Sequence, residues 1–381
     1  MAKPTVAVIK TRPASVLEDY GRLMRLAGYR QAIDPRSPLL LKLNLSWTKY
    51  YPSCSSQPWQ LEGVLRTLLE DGFDRSLLKA VENRTVVTDP WKGAKNNRWL
   101  PVLKAYGLEF TALTEVEWTV HKFKEPLLRL DRIFPEGIQI PKMYIGRNIL
   151  HLPTVKTHGH SITTGSVKNA FGGLLKEVRH YCHKYIHEVL ADLMVMQREL
   201  HPSVFTVMDG TVCGDGAGPR TMHPVNKNYL LAAADSVAID AVAARMMGFD
   251  PMKIGYLRIC HDKGLGVADP AEIRVVGENV EGVNFGFHVS RSLVIWGDQM
   301  LRRGPLRFLE RAALHSPLVV WAPMASNIYH DWLWYPLIGQ ARIRRFGRTD
   351  WGRLFQDRYV LGAEGLAGAA SVILKRGAAA D

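Results

Sequence analysis

Residues 148–176 read NILHLPTVKTHGHSITTGSVKNAFGGLLK. The apolar run 149–152 predicts a strand, and Pro153 stops it because proline brings no amide hydrogen to a ladder. A polar loop follows, carrying Lys156, His158, His160, Ser161, Thr163 and Thr164. It ends in Gly165, Lys168, Asn169 and the pair Gly172-Gly173. In α/β proteins a strand that gives way to a polar, glycine-bearing loop is where ligands bind. Lysines, imidazoles, an amide and hydroxyls this close together can hold an anion or a metal-bound substrate. The competing reading is a solvated surface loop. Glycines interleaved with donors favour the site, because they let the backbone approach a ligand.

Upstream, strands and helices alternate. Residues 5–9 are β-branched and alternating, which predicts a strand, and 14–29 repeat apolar side chains at Val16, Tyr20, Leu23 and Met24 with a helical period. The run 39–45 predicts a second strand ending near Asn44, before a loop rich in Ser46, Thr48, Ser53, Ser55 and Ser56. Asn44 reads equally as a site residue or as a strand-end cap. A helix over 59–70 stops at Asp71-Gly72, and a strand at 85–88, a helix at 97–106 and a strand at 109–113 follow. Residues 115–146 read as a short β excursion. This alternation predicts an α/β fold: a mostly parallel, doubly wound sheet.

Downstream, 175–200 predicts a helix. Seven of the thirteen histidines lie between His151 and His201. His180, His183 and His187 share a helical face, and the His183/His187 spacing can hold a metal or simply pack. A strand over 204–208 would end at Asp209 and aim its carboxylate into a crevice. Gly214, Gly216 and Gly218 then allow close backbone approach, and Asp215 can bind a metal or a hydroxyl. Neither a Walker loop nor a dinucleotide fingerprint is present. After a strand at 229–233, Asp235 is a natural cap for a helix over 237–247, and Asp240 lies within its first turns.

Several of these positions resemble one family. Pro153-x-x-Lys156-Thr157-His158-Gly159 and Lys168-Asn169-x-x-Gly172 look like the signature of domain-of-unknown-function family 362. The resemblance continues at Lys42-x-Asn44, Ile140-Pro141-Lys142, Asp209-Gly210, Gly216-x-Gly218-Pro219 and Asp235-x-Val237-Ala238-x-Asp240, and covers about 35–280. It implies that His187 and Asp192 are the matching His and Asp of the 175–200 helix, with His187 facing the site. Relatives often carry a glycine-rich turn where this chain reads ENRTVVTDPWKGAKNN, which weakens the case for a phosphate cradle there. Some relatives are iron–sulfur proteins. Here Cys54, Cys182, Cys213 and Cys260 are far apart and form no iron–sulfur motif. The resemblance points to a fold and a site, not to a reaction.

The chain has 381 residues and a formal charge of +13, which favours an anionic partner. No apolar run reaches the ~18 residues that span a bilayer, and the start shows no signal-peptide core, so the cytoplasm is the expected compartment, with peripheral membrane association open. Composition divides the chain into an α/β domain over 1–285 and a basic, Trp-rich, mainly helical C-terminal extension over 286–381. Residues 290–381 hold thirteen Lys/Arg against seven Asp/Glu and half of the ten tryptophans. Within them, 304–314 predicts a basic amphipathic helix, 316–325 is apolar but short, and 362–374 predicts a terminal helix. The extension suits packing on the sheet, a lid, or an interfacial membrane contact. Nucleic acid ranks last because the basic residues are spread and no reading module is present.

The expected function is an enzyme acting on a small anionic or lipid-like molecule. Lys156, His158, Lys168 and Asp209 are the catalytic candidates. Asn44, Thr164, Asn169, Gly216 and Gly218 would bind substrate, and His187, Asp215 and Asp235 would hold a divalent metal. The alternative is a non-catalytic cofactor- or metal-binding protein that docks at a membrane through its basic tail.

Overall fold

The computed structural model describes residues 3–176, 182–302, 304–309, 321–368 and 370–371. The strands are β1 (Thr5–Lys10), β2 (Leu39–Lys42), β3 (Leu78–Glu82), β4 (Phe110–Ala112), β5 (Trp118–His121), β6 (Ile138–Pro141), β7 (Asn148–His151), β8 (Thr154–His158), β9 (Ile162–Thr163), β10 (Val204–Ala217), β11 (Thr221–Ala233) and β12 (Arg274–Gly277). The main sheet runs β12-β1-β11-β10-β7-β2-β3-β4, with β8 also on β10 and β9 on β8. β5 and β6 form a separate antiparallel ribbon. Pairing in the main sheet is parallel except where β11 meets β1 and β10, and where β9 meets β8.

The strand sequences explain why helices cover both faces. All four residues of β2 are buried, as expected of a strand with no solvated side. Successive side chains point to opposite faces. Leu39 and Leu41 enter a core with the helices Val16–Leu26, Pro58–Glu70 and Trp99–Ala105. Leu40 enters the opposite core, with Gly165–Leu174, Ile186–Leu200 and Ser236–Met247. Ile149 and Leu150 of β7 divide in the same way. The sheet is therefore doubly wound.

The C-terminal extension is helical and adds to the core that Leu39 and Leu41 enter. Trp351 packs on Trp59 with ring centroids 5.2 Å apart, and the Tyr359 hydroxyl donates to Glu62 at 2.7 Å. Arg358 pairs with the same carboxylate. Phe346, Trp351, Tyr359 and Leu366 are all buried there.

Some local readings are corrected. The third strand is Leu78–Glu82; residues 85–88 form only a bridged turn. The strand from Val204 continues to Ala217, because β11 pairs with it as a long antiparallel hairpin, shifted in register between Gly210 and Val212. The helix expected over 175–200 starts at Ile186 after a 3-10 turn at 182–185, and His180 lies outside the described residues. Of the helix expected over 304–314, Pro305–Leu309 is a 3-10 segment and 310–314 lies outside the described residues, as do 369 and 372–374 of the expected terminal helix and half of the apolar run at 316–325.

One contact sets the start of the helix Gly165–Leu174. Buried Asp240 accepts from the Ser166 amide at 2.5 Å and the Val167 amide at 3.1 Å. A carboxylate is favoured there by the exposed amides and the helix dipole. Burial nevertheless pushes Asp240 up to about 7, with the two amides and the Tyr256 hydroxyl opposing. Gly165 has φ +60°, and a Cβ there would overlap the Asp240 carboxylate. Gly264 has φ +65° and open space around it. Gly264→Ala is therefore expected to cost about 1 kcal/mol, from left-handed strain alone. Gly165→Ala should cost about 2 kcal/mol more, because the carboxylate must also shift. Urea denaturation of both variants measures the difference, and equal midpoints would disprove the Asp240 contact as its origin.

Candidate functional site

A cavity of about 620 Å³ lies at the carboxyl ends of β2, β3 and β8, beside the helix Gly165–Leu174. Its floor includes Lys42, Asn44 and Glu82, and its wall His158, His160, Thr164, Lys168 and Asn169. The extension closes it from above with Ile295, Asp298 and Arg302 of the helix Leu293–Arg302, and with Pro323, Ser326 and His330 of the segment that starts at Trp321. Apolar lining comes from Leu45, Val86, Val87, Phe171 and Val294.

Under the floor lies a chain of hydrogen bonds. The buried Lys156 ammonium donates to Asn44 Oδ1 at 2.5 Å, Ser46 Oγ at 3.0 Å and the Cys54 carbonyl at 2.5 Å. Those three acceptors match its three protons. Asn44 Nδ2 donates to Asn169 Oδ1 at 3.2 Å, and Asn169 Nδ2 to the Lys42 carbonyl at 3.1 Å and His151 Nδ1 at 3.3 Å. His151 Nε2 then meets Gln197 Oε1 at 2.7 Å. Acceptance at Nδ1 puts the ring proton on Nε2, and burial keeps the imidazole neutral by lowering it to about 3. Beside this chain, Lys42 Nζ pairs with Glu82 Oε1 at 2.8 Å and donates to the Leu43 carbonyl, both side chains being buried.

The lining carries five cations, Lys42, Arg84, Lys168, Arg220 and Arg302, against the carboxylates Glu82 and Asp298. Arg302 Nε donates to both oxygens of Asp298 at 2.9 Å, and Arg220 Nη2 to Ser326 Oγ at 2.9 Å. Among the described residues, Nη1 of each of these guanidiniums is buried without a hydrogen-bond partner, as are Thr164 Oγ1 and Glu82 Oε2. Burial lowers Arg220 to about 10 against the pull of Cys54 and Asp331. His158 Nδ1 accepts from the His160 amide at 3.1 Å and the Ser161 amide at 3.4 Å. Its proton is therefore on Nε2, and burial and then Lys168 hold its pKa well below the ordinary value, so the ring is neutral.

The structure brings Asn44, His158, Thr164, Lys168 and Asn169 to this cavity, with Lys156 directly behind Asn44. Gly216 and Gly218 do not line it, but their neighbours Ala217 and Pro219 do. The glycine carbonyls instead accept from Thr157 Oγ1 at 3.0 Å and the Gly159 amide at 3.2 Å, tying the hairpin to the loop. Asp209 does not end its strand and does not line the cavity. Its carboxylate accepts from the Tyr20 hydroxyl at 2.6 Å and the Trp59 indole at 2.9 Å, pinning two helices to the sheet. It sits mid-strand because β10 does not end there.

The three expected metal ligands do not converge. His187 Nδ1 accepts from the Tyr256 amide at 3.2 Å, and its ring stacks on Tyr256. Asp215 accepts from the His288 amide at 2.9 Å. Asp235 caps its helix through the Val237 and Ala238 amides and holds the Val267 amide. Among the described residues no group of three or more His, Cys, Asp or Glu is placed to hold a metal ion. Of His183 and His187, His183 lines the cavity, with its ring 5.0 Å from that of His160; the 3-10 turn around it breaks the shared face expected with His187. Asp192 receives the amides of Leu128, Arg129 and Leu130.

Lys42, Glu82 and the roof residues Asp298, Arg302 and His330 were not among the expected site residues. A lysine closing the apolar run LLLK and a glutamate closing LKAVE are the local signals for the first two. No local signal marks the roof.

Burial lowers Lys156 to about 8 from its ordinary 10.5. Between these values the unfolded chain holds the proton more tightly than the folded one, so this group's contribution to stability rises with pH across the window. Its burial cost is fully present below pH 8. Wild type is therefore expected to gain about 2 kcal/mol on Lys156→Met between pH 7.5 and 9.5. Paired denaturant titrations read this, and a flat difference would refute it.

The comparisons cover the same region. A relative from Synechocystis sp. (strain ATCC 27184 / PCC 6803 / Kazusa), described as thylakoid-associated protein sll1697, is 23% identical over 235 residues, 60% of this chain and 68% of the relative. No solved structure matches significantly. Residues 39–245 match the family described as Domain of unknown function (DUF362). That span takes in β2 to β11 and, with them, the floor and wall of the cavity. The chain belongs to the DUF362 family.

Proposed function

We propose that this protein is an enzyme that takes a small anionic molecule with an apolar part into the cavity. The observation that carries the reading is the charge of the lining: five cations face two carboxylates, and two of the guanidiniums keep a nitrogen unpartnered among the described residues. Planar guanidiniums suit phosphate or carboxylate oxygens. The apolar lining suits a hydrocarbon portion.

Within this reading the residues take distinct roles. His158 supplies a neutral Nε2–H, which polarises a substrate oxygen and does not take up a proton. Lys168 adds an ammonium on the same wall. Lys156 acts through Asn44 and Ser46, whose positions it fixes. Glu82 Oε2 is an acceptor for a substrate hydroxyl or ammonium.

A peripheral membrane location is part of the proposal. The Synechocystis relative is described as thylakoid-associated. No helix among the described residues is long and apolar enough to cross a membrane. The basic extension suits an anionic surface instead.

Thermal-shift titration tests the binding step. Octyl phosphate and octanoate are expected to raise the melting temperature, and octanol is not. Arg220→Gln with Arg302→Gln should weaken octyl phosphate binding at least about tenfold, the usual scale of one lost charge-assisted bond. An equal shift with octanol, or none with any probe, would sink the reading. The catalytic step is tested by incubating wild type and His158→Phe with a pool of small organic phosphates and carboxylates and following their masses. Wild type alone should convert a component; no conversion would leave a binding protein.

A further inference from the structure

The roof of the cavity is built inside out. In the segment from Trp321 to Gly339, Ser326, His330 and Trp334 recur every four residues and are buried. Ser326 and His330 line the cavity, and Trp334 packs against Trp47 and Tyr51. Met324, Ile328 and Trp332 recur at the same interval, offset by two residues, which is about half a turn of helix. These point outward, with Trp332 78% exposed. Leu333, Leu337 and Ile338 extend the same exposed surface. A helix on a water-facing protein turns its apolar side in and its polar side out. Here the face toward the cavity carries a serine and a histidine, and the face toward solvent is apolar.

The neighbouring roof helix repeats the arrangement. Ile295, Asp298 and Arg302 line the cavity, while Leu293 and Trp296 are exposed. Exposed Arg307 follows the first of these elements in the chain, and exposed Arg344, Arg345 and Arg348 follow the other. Aromatic and aliphatic side chains beside arginines are the composition of a helix lying in an anionic bilayer interface. An isolated apolar side chain on a surface needs no explanation, but a row of them along one side of a helix does.

We infer that the roof, 293–302 with 321–339, is a docking surface for an anionic phospholipid bilayer, and that the cavity beneath it takes its ligand from that bilayer. This rests on the cavity's being an anionic-ligand site, as proposed above. The same two elements then meet lipid outside and the ligand inside. An anionic amphiphile can pass from one to the other without its apolar part crossing water. The chemistry named is an anionic head group, with Arg220 and Arg302 receiving it, on a hydrocarbon tail that the lining accommodates.

Vesicle sedimentation of the full chain tests this, with equimolar phosphatidylglycerol and phosphatidylcholine against phosphatidylcholine alone. Wild type is expected to sediment with the anionic vesicles at least tenfold better. Trp332→Gln with Leu337→Gln, both at exposed positions, should lose that binding, as should Arg344→Gln with Arg345→Gln. Val120→Gln, exposed on the β5–β6 ribbon, should not. Arg220→Gln with Arg302→Gln should still sediment while losing the octyl phosphate shift, and the Trp332/Leu337 variant should do the reverse. An octyl phosphate shift in wild type without vesicle binding would overturn the docking surface and leave the cavity reading standing. Equal binding to neutral vesicles would overturn the anionic partner. A concentration-dependent dimer in wild type that the Trp332/Leu337 variant lacks, with no vesicle binding, would assign the face to a second copy and overturn the proposal.

Discussion

The buried ammonium of Lys156 holds the site in place. An ammonium taken out of water is costly unless every proton finds an acceptor, and here Asn44, Ser46 and the Cys54 carbonyl supply all three. Two of these acceptors lie on the cavity side, so one charge orders the loop after β2 and the floor of the cavity. Asn44 passes the constraint to Asn169, and Asn169 to His151 and Gln197, so the wall, the floor and the helix Ile186–Leu200 share one polar chain through an otherwise apolar core. Each member has a partner, and a fully satisfied network of this kind specifies one arrangement.

The second constraint is the meeting of the Gly165–Leu174 helix with Asp240. It explains why two features distant in the sequence, a glycine at the end of a polar loop and an aspartate inside a later helix, belong together. The amides that start the helix are held by a buried carboxylate, which aims the next turn, with Lys168 and Asn169, at the cavity. Asp235, close by in sequence, does the ordinary work of an N-cap. Asp209 joins Tyr20 and Trp59 across the other face of the sheet. Three aspartates that look alike in the sequence thus have three different partners.

The extension supplies what the α/β core lacks. The core alone gives an open crevice at the ends of parallel strands. Asp298, Arg302, Ser326 and His330 make it a chamber, and Trp351 and Tyr359 fasten the end of the chain to the helix Pro58–Glu70. Two parts that differ in composition share both a core and a cavity.

Local chemistry made much of this legible. Buried strands announce themselves as apolar runs, so β2, β7 and the alternation with helices could be read from the residues. The donor-rich segment after β7 could be read too, because glycines among donors have few other uses, but its first part is the buried strand β8 and not the loop expected. The sequence by itself determined the doubly wound class and five of the residues that line the cavity, since each depends on periodicity or on residue chemistry within a short window. Tertiary structure alone decided that Asp209 is a pin and that Asp215, Asp235 and His187 stay apart. It alone decided that His183 faces inward, because a single 3-10 turn rotates it away from His187. It also decided that the extension is a roof with its apolar side outward. The physical reason is common to all of these: a side chain's role is fixed by which distant group satisfies it, and only the packing of one element on another brings that group within reach.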